Sequence, residues 1–196
     1  MILFILISYL YINEGIMKKK NLFITLIALA CFPLAVNAAT NWYIYHVLPV
    51  WSVDSGKHLD WSGSTAYSSN WNTGVNTWNN YKSGVIRKDT ILTENDLTIS
   101  DVSSLPSNVV AVTTQYGSGH SSGSTIKFST AQMNKLTTAK KNIVCTHEIG
   151  HALGLDENND NGTSVVMYNV ISDNTSNNVL HSEDKFNYDY MYNNKY

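Results

Sequence analysis

The chain has 196 residues, a length that suits one ordinary domain with short additions. Its formal net charge of −2 leaves no basic stripe to neutralise phosphates, which argues against a nucleic-acid binder. Charged residues are only 14% of the chain, but its 43% apolar content can build a core and argues against disorder.

Residues 1–16 are a short apolar run with no basic lead. Met17 then opens a second segment: Lys18, Lys19 and Lys20, an apolar stretch over 22–36, and Val36-Asn37-Ala38. These are the charged, apolar and small-residue parts of a secretory signal, with cleavage expected after Ala38. Neither apolar run reaches the ~20 residues of a membrane-spanning helix. Residues 1–38 are therefore expected to be an N-terminal extension and signal peptide, with Met17 as the true start. Residues 39–196 are expected to be a secreted, monomeric catalytic domain that keeps no membrane attachment after processing. A lipid anchor on Cys31 is the weaker alternative, because Ala28-Leu29-Ala30 is a poor match to a leucine-led lipobox.

In the mature part, the aromatic and β-branched stretch 41–47 predicts a strand, and the Ser, Asp and Gly of 52–64 predict a loop. Ala66, Trp71, Val75, Trp78 and Tyr81 recur at helical spacing and predict a helix over 66–81 with one buried face, ended by Gly84. Four short strands follow, over 85–88, 96–102, 109–115 and 125–129. Between the last two, 117–123 is Gly- and Ser-rich and predicts a flexible loop, with His120 a solvated residue in it. A helix over 138–155 would bury Ile143, Val144, Ile149, Ala152 and Leu153. Cys145, left alone once Cys31 is removed, suits a small packing residue better than a nucleophile, and no disulfide is expected. The 156–162 cluster partly mimics a calcium loop. That is rejected, because Asn161 stands where glycine is needed and Met167 where the last glutamate belongs. Ser182 as cap, with Glu183 and Asp184 in the first turn, opens a last helix that packs through Phe186, Tyr190 and Met191.

The chemistry concentrates in Thr146-His147-Glu148-Ile149-Gly150-His151-Ala152-Leu153-Gly154-Leu155-Asp156-Glu157. On a helix His147 and His151 lie one turn apart on one face, so two imidazoles can grip one metal ion. Glu148 reaches the same cavity, where a carboxylate can take a proton from water. Gly154 lets the chain leave the helix sharply and bring back a third ligand.

His147 to Gly154, followed by Ser164-Val165-Val166-Met167-Tyr168, resembles the metzincin pattern, and its wording is most similar to the matrixin branch. The resemblance implies an α+β zincin domain: a mixed twisted sheet, a back helix, an active-site helix and a C-terminal helix. It also implies one catalytic Zn2+ held by His147, His151 and a third ligand, with Glu148 as general base and Met167 in a turn under the metal. The 109–115 strand would line the cleft and pair with substrate. Metzincins carry His or Asp at the third-ligand position, where this chain has Glu157. Asp156 beside it and Glu183, placed like the distant glutamate of thermolysin-like proteases, stay open as rivals. Tyr168 directly follows Met167, too early for the zinc-binding tyrosine of some branches. Structural calcium or a second zinc is left undetermined. The function implied is hydrolysis of protein or peptide substrates by a zinc endopeptidase. The alternatives are a non-catalytic binding or adhesive surface protein on the same fold, and a zinc hydrolase of a non-protein substrate.

Overall fold

The computed structural model describes residues 45–196. The expected signal peptide and most of the strand expected over 41–47 lie outside these residues. Within them Val47 makes an antiparallel bridge to Leu155.

The described elements run β1 (Val50–Trp51), β2 (Leu59–Gly63), α1 (Ser68–Asn79), β3 (Ile86–Lys88), β4 (Leu97–Val102), β5 (Ala111–Thr114), β6 (Gly119–His120), β7 (Ser124–Ser129), α2 (Thr130–Met133), α3 (Thr138–Ala152) and α4 (Ser182–Asn194). Five strands form the main sheet in the order β3-β2-β4-β7-β5. The first four are parallel, and β5 closes the edge antiparallel to β7. This is the mixed α+β architecture expected, with α1, α3 and α4 as the three predicted helices.

Alternation fixes which strand residues go inside. Leu97 and Ile99 of β4 and Ile126 and Phe128 of β7 are buried on one face. Trp71 of α1 meets that face, its ring edge-on to Phe128 and to Trp61 of β2. On the next turns Trp78 is fully buried and its indole N–H donates to the Thr146 carbonyl at 2.8 Å, which fixes α1 against α3. Cys145 is buried and free, and burial pushes its thiol well above the usual range. It is a packing residue, as expected.

Three local expectations are corrected. Residues 52–64 are not all loop: Leu59–Gly63 is a strand paired on both sides, by β3 and by β4. Its polar composition misleads because Asp60 is buried there with its charge met by Arg87, at 2.9 and 2.6 Å. The 117–123 loop contains β6, which pairs in parallel with β1, and His120 is not simply solvated but lies 3.2 Å from Asp96. The last helix is capped by His181 rather than Ser182, because Asp184 reaches back to accept the His181 N–H at 2.9 Å. Its buried residues are Asp184, Asn187, Tyr188 and Met191, while Phe186 and Tyr190 stack on Tyr45. Among the described residues, no helix is long and apolar enough to cross a membrane.

Candidate active site

Helix α3 starts where the Thr137 side chain accepts the Lys140 N–H, and it runs for 15 residues beneath the edge strand. Its buried side is Ile143, Val144, Cys145, Ile149 and Ala152, which leaves His147 and His151 facing out one turn apart. Their rings stand perpendicular with centroids 4.6 Å apart. Each ring is held through Nδ1. His147 lies 3.0 Å from the Val166 carbonyl and His151 2.8 Å from the Leu155 carbonyl. A carbonyl oxygen can only accept, so in the neutral rings both Nδ1 atoms carry the proton and both Nε2 lone pairs face one point.

Gly154, at φ +82°, takes the left-handed conformation that ends the helix and turns the chain back. Segment 46–48 braces this turn: Leu48 N–H donates to Gly154 O at 2.8 Å and Asp156 N–H to His46 O at 3.0 Å. The His46 ring holds the Glu157 carbonyl at 3.1 Å, and the Asp156 carboxylate accepts the Glu157 N–H at 2.8 Å. Glu157 Oε1 then lies 3.5 Å from both His147 Nε2 and His151 Nε2. A tetrahedral zinc with bonds of ~2.1 Å has ligand atoms about 3.4 Å apart, so this spacing is that of a coordination shell rather than of direct hydrogen bonds. Among the described residues Glu157 Oε2 is buried without a hydrogen-bond partner. An orphaned carboxylate oxygen beside two free imidazole lone pairs fits a divalent cation.

The electrostatics agree. Burial opposes charge on His147, but the Glu157 carboxylate 3.5 Å away and the charge of Glu148 outweigh that and raise it to about 9. Burial also acts to raise Glu157, yet the His147 and His151 rings beside it hold its carboxyl at about 2. Positive charge is favoured between these groups.

Glu148 is buried in the wall of the same cleft, and its carboxylate accepts the Thr113 hydroxyl at 2.6 Å. Below, Met167 is buried against Gly150, where a Cβ would come within 2.3 Å of its sulfur. Buried Asp184 fixes the Met167 turn by accepting the N–H groups of Val166 at 3.0 Å and Met167 at 3.3 Å. The cleft, of about 530 Å³, lies between β5 and the 168–172 segment, with Val112 and Val170 partly exposed at its rims.

The matrixin family profile matches residues 75–193, more than half of the chain. The chain belongs to the matrixins. It is accordingly a metallopeptidase of a zinc-binding family, and its substrates are proteins or peptides. Comparison with curated proteins gave no match.

In this matrixin the structure brings together His147, His151 and Glu157, with Glu148 alongside and Met167 beneath. The rival carboxylates stand apart. Asp156 is exposed and spent on the Glu157 N–H, and Glu183 accepts a hydrogen bond from Ser182 in the first turn of α4. Tyr168 lines the cleft outside the three-residue group. Asp54, Asp60 and Asp96 also converge, but Arg87 and His120 already meet two of them. Sequence reasoning missed His46, Thr113 and the second role of Asp184. None of the three is in the motif, and only the strand pattern around Thr113 gave any signal.

Proposed function

We propose that this matrixin is a secreted zinc endopeptidase, with His147, His151 and Glu157 as metal ligands and Glu148 as general base. The observation that carries it is the convergence of two oriented imidazoles and one orphaned carboxylate beside a second, buried carboxylate in an open cleft. Zinc bound there would supply Lewis-acid polarisation of a water molecule and of the scissile carbonyl. Glu148 takes the water's proton as it attacks and passes it to the departing amine nitrogen, so the acid and base steps use one residue and need no covalent intermediate. The free edge of β5 offers backbone groups to an extended peptide, which aligns it along the cleft. Lys18 to Lys20, the following apolar run and Ala38 support secretion. N-terminal sequencing of protein from culture medium, starting near Ala39, tests that part.

Casein digestion by the purified mature protein, with and without a chelator and with zinc restored, tests the activity. Glu148→Ala should keep one zinc per chain and lose about a thousandfold in rate, roughly 4 kcal/mol of transition-state stabilisation. Near-parental proteolysis by that variant removes Glu148 from its role. Chelator-insensitive digestion removes zinc.

A further inference from the structure

We infer that Thr113 is a positioning residue for Glu148, tying the general base to the strand along which substrate lies. This rests on the assignment of Glu148 as the base. Thr113 lies on β5, where pairing with Ile126 of β7 fixes its register. Alternation sends Ala111 and Thr113 to one face, and Thr113 meets α3 on that face. Its Oγ1 is 2.6 Å from Glu148 Oε2 and 3.0 Å from the Glu148 backbone carbonyl. A hydroxyl has one proton to give, and the nearer, ionised oxygen is the stronger acceptor.

Among the described residues this is the one hydrogen bond that the Glu148 carboxylate receives. Glu148 is 6% exposed, so little bulk water remains to hold it. A glutamate on a helix has three torsions to fix, whereas a threonine on a strand is stiff about χ1. The rigid partner thus sets the flexible one. With Oε2 occupied by the donor, Oε1 is the oxygen left to take the proton of the attacking water, and the Thr113 proton stays where it is. The contact also gives the strand a say in catalysis: a displacement of β5 moves the base with it. Reaction rates are sensitive to such placement, since a misplacement of ~1 Å can cost about a hundredfold.

The test is steady-state kinetics on a quenched peptide with Thr113→Val, which keeps shape and loses the donor, and Thr113→Ser, which keeps the donor. Thr113→Val should lower kcat about 10–100-fold with KM within about twofold of the parent, and Thr113→Ser should recover kcat to within about threefold. Zinc affinity by chelator competition should stay at the parental value in both, while the melting temperature falls in Thr113→Val, which leaves a buried carboxylate without its donor, and recovers in Thr113→Ser. Thr113→Ala provides the same loss of donor should the valine not be accommodated. A kcat within twofold of the parent in Thr113→Val and Thr113→Ala overturns the inference, as does a serine variant as slow as the valine. A loss carried by KM or by zinc affinity also overturns it. Glu148→Ala separates the two layers: if it stays active the base assignment itself fails, and if it is inactive while Thr113→Val is not, only the role of Thr113 fails. In the Glu148→Ala background, Thr113→Val should add no further loss.

Discussion

Asp184 is the residue through which the C-terminal helix reaches the proposed metal site, and a graded pair of substitutions there probes that link. The side chain is fully buried. Its Oδ2 accepts the N–H groups of His181 at 2.9 Å and Val166 at 3.0 Å, and its Oδ1 accepts the longer bond from Met167 at 3.3 Å. Hydrogen bonds to a charged group contribute ~1.5–3 kcal/mol each, and donors left buried without a partner add a penalty. Asp184→Ala removes two good bonds and one weak one, and should cost about 3–5 kcal/mol. Asp184→Asn can place its amide oxygen at the Oδ2 position and keep both short bonds. Its NH2 then faces only the Met167 N–H, so the cost should be about 1–2 kcal/mol. The Val166 carbonyl that orients His147 belongs to this turn, so zinc affinity should fall in the same order, by ~10–100-fold for alanine. Denaturant unfolding of the metal-free protein measures the first effect and chelator competition the second. Glu183→Ala, one residue away but off the turn, is the control at ~0.3–1 kcal/mol. If the alanine variant costs no more than that control, or alanine and asparagine are equal, then Asp184 does not brace the site.

Three further outcomes are expected. Glu157→Ala should weaken zinc by more than the ~100-fold that loss of a supporting hydrogen bond causes, while Asp156→Ala and Glu183→Ala bind as the parent does; parental affinity in Glu157→Ala, by chelator competition, would show that the third ligand lies elsewhere. Gly150→Ala should destabilise by about 1–3 kcal/mol in denaturant melts, because its Cβ meets the Met167 sulfur at 2.3 Å and Trp78 at 3.2 Å; an unchanged melt means that Met167 moves aside freely. Burial and its hydrogen bond to Asp189 raise the Tyr81 hydroxyl to about 12, and burial raises Tyr188 and Tyr196 further. The folded state therefore keeps protons that the unfolded chain releases near pH 10, and stability should fall from about pH 10 to 12. Tyr81→Phe should make that fall shallower in unfolding measured across this range, and an equal slope would count against the bond.

The helices were the legible part of this fold because their signals are local. Trp71 and Trp78 sit two turns apart and both are buried, and His147, Glu148 and His151 were placed by spacing alone. Strand β2 was not legible, since Asp60 and Ser62 look like loop residues until Arg87, from a strand beyond α1, meets the buried carboxylate. β6 was hidden for a similar reason: a Gly- and Ser-rich stretch becomes a strand when Trp51, far earlier in the chain, pairs with His120. In both cases a long-range partner overrides local propensity.

The site divides along the same line. Two histidines one turn apart need only the helix, and a glycine after them needs only its own backbone freedom. The third carboxylate needs more. Glutamate is one methylene longer than the aspartate of some relatives, so its backbone must be held where that length is taken up. Two contacts hold it: His46 on the Glu157 carbonyl and Asp156 on the Glu157 N–H. The second is a neighbour in sequence, but the first comes from 111 residues upstream. In the proposed site the acid beside Glu157 therefore shapes the turn, and the motif's register alone could name Glu157 but not show how it reaches. The same holds for Glu148, whose place in the motif marks its chemistry while the group that fixes its carboxylate sits on another element, 35 residues earlier. What a local motif specifies is the set of donors, and what it leaves to the fold is their aim.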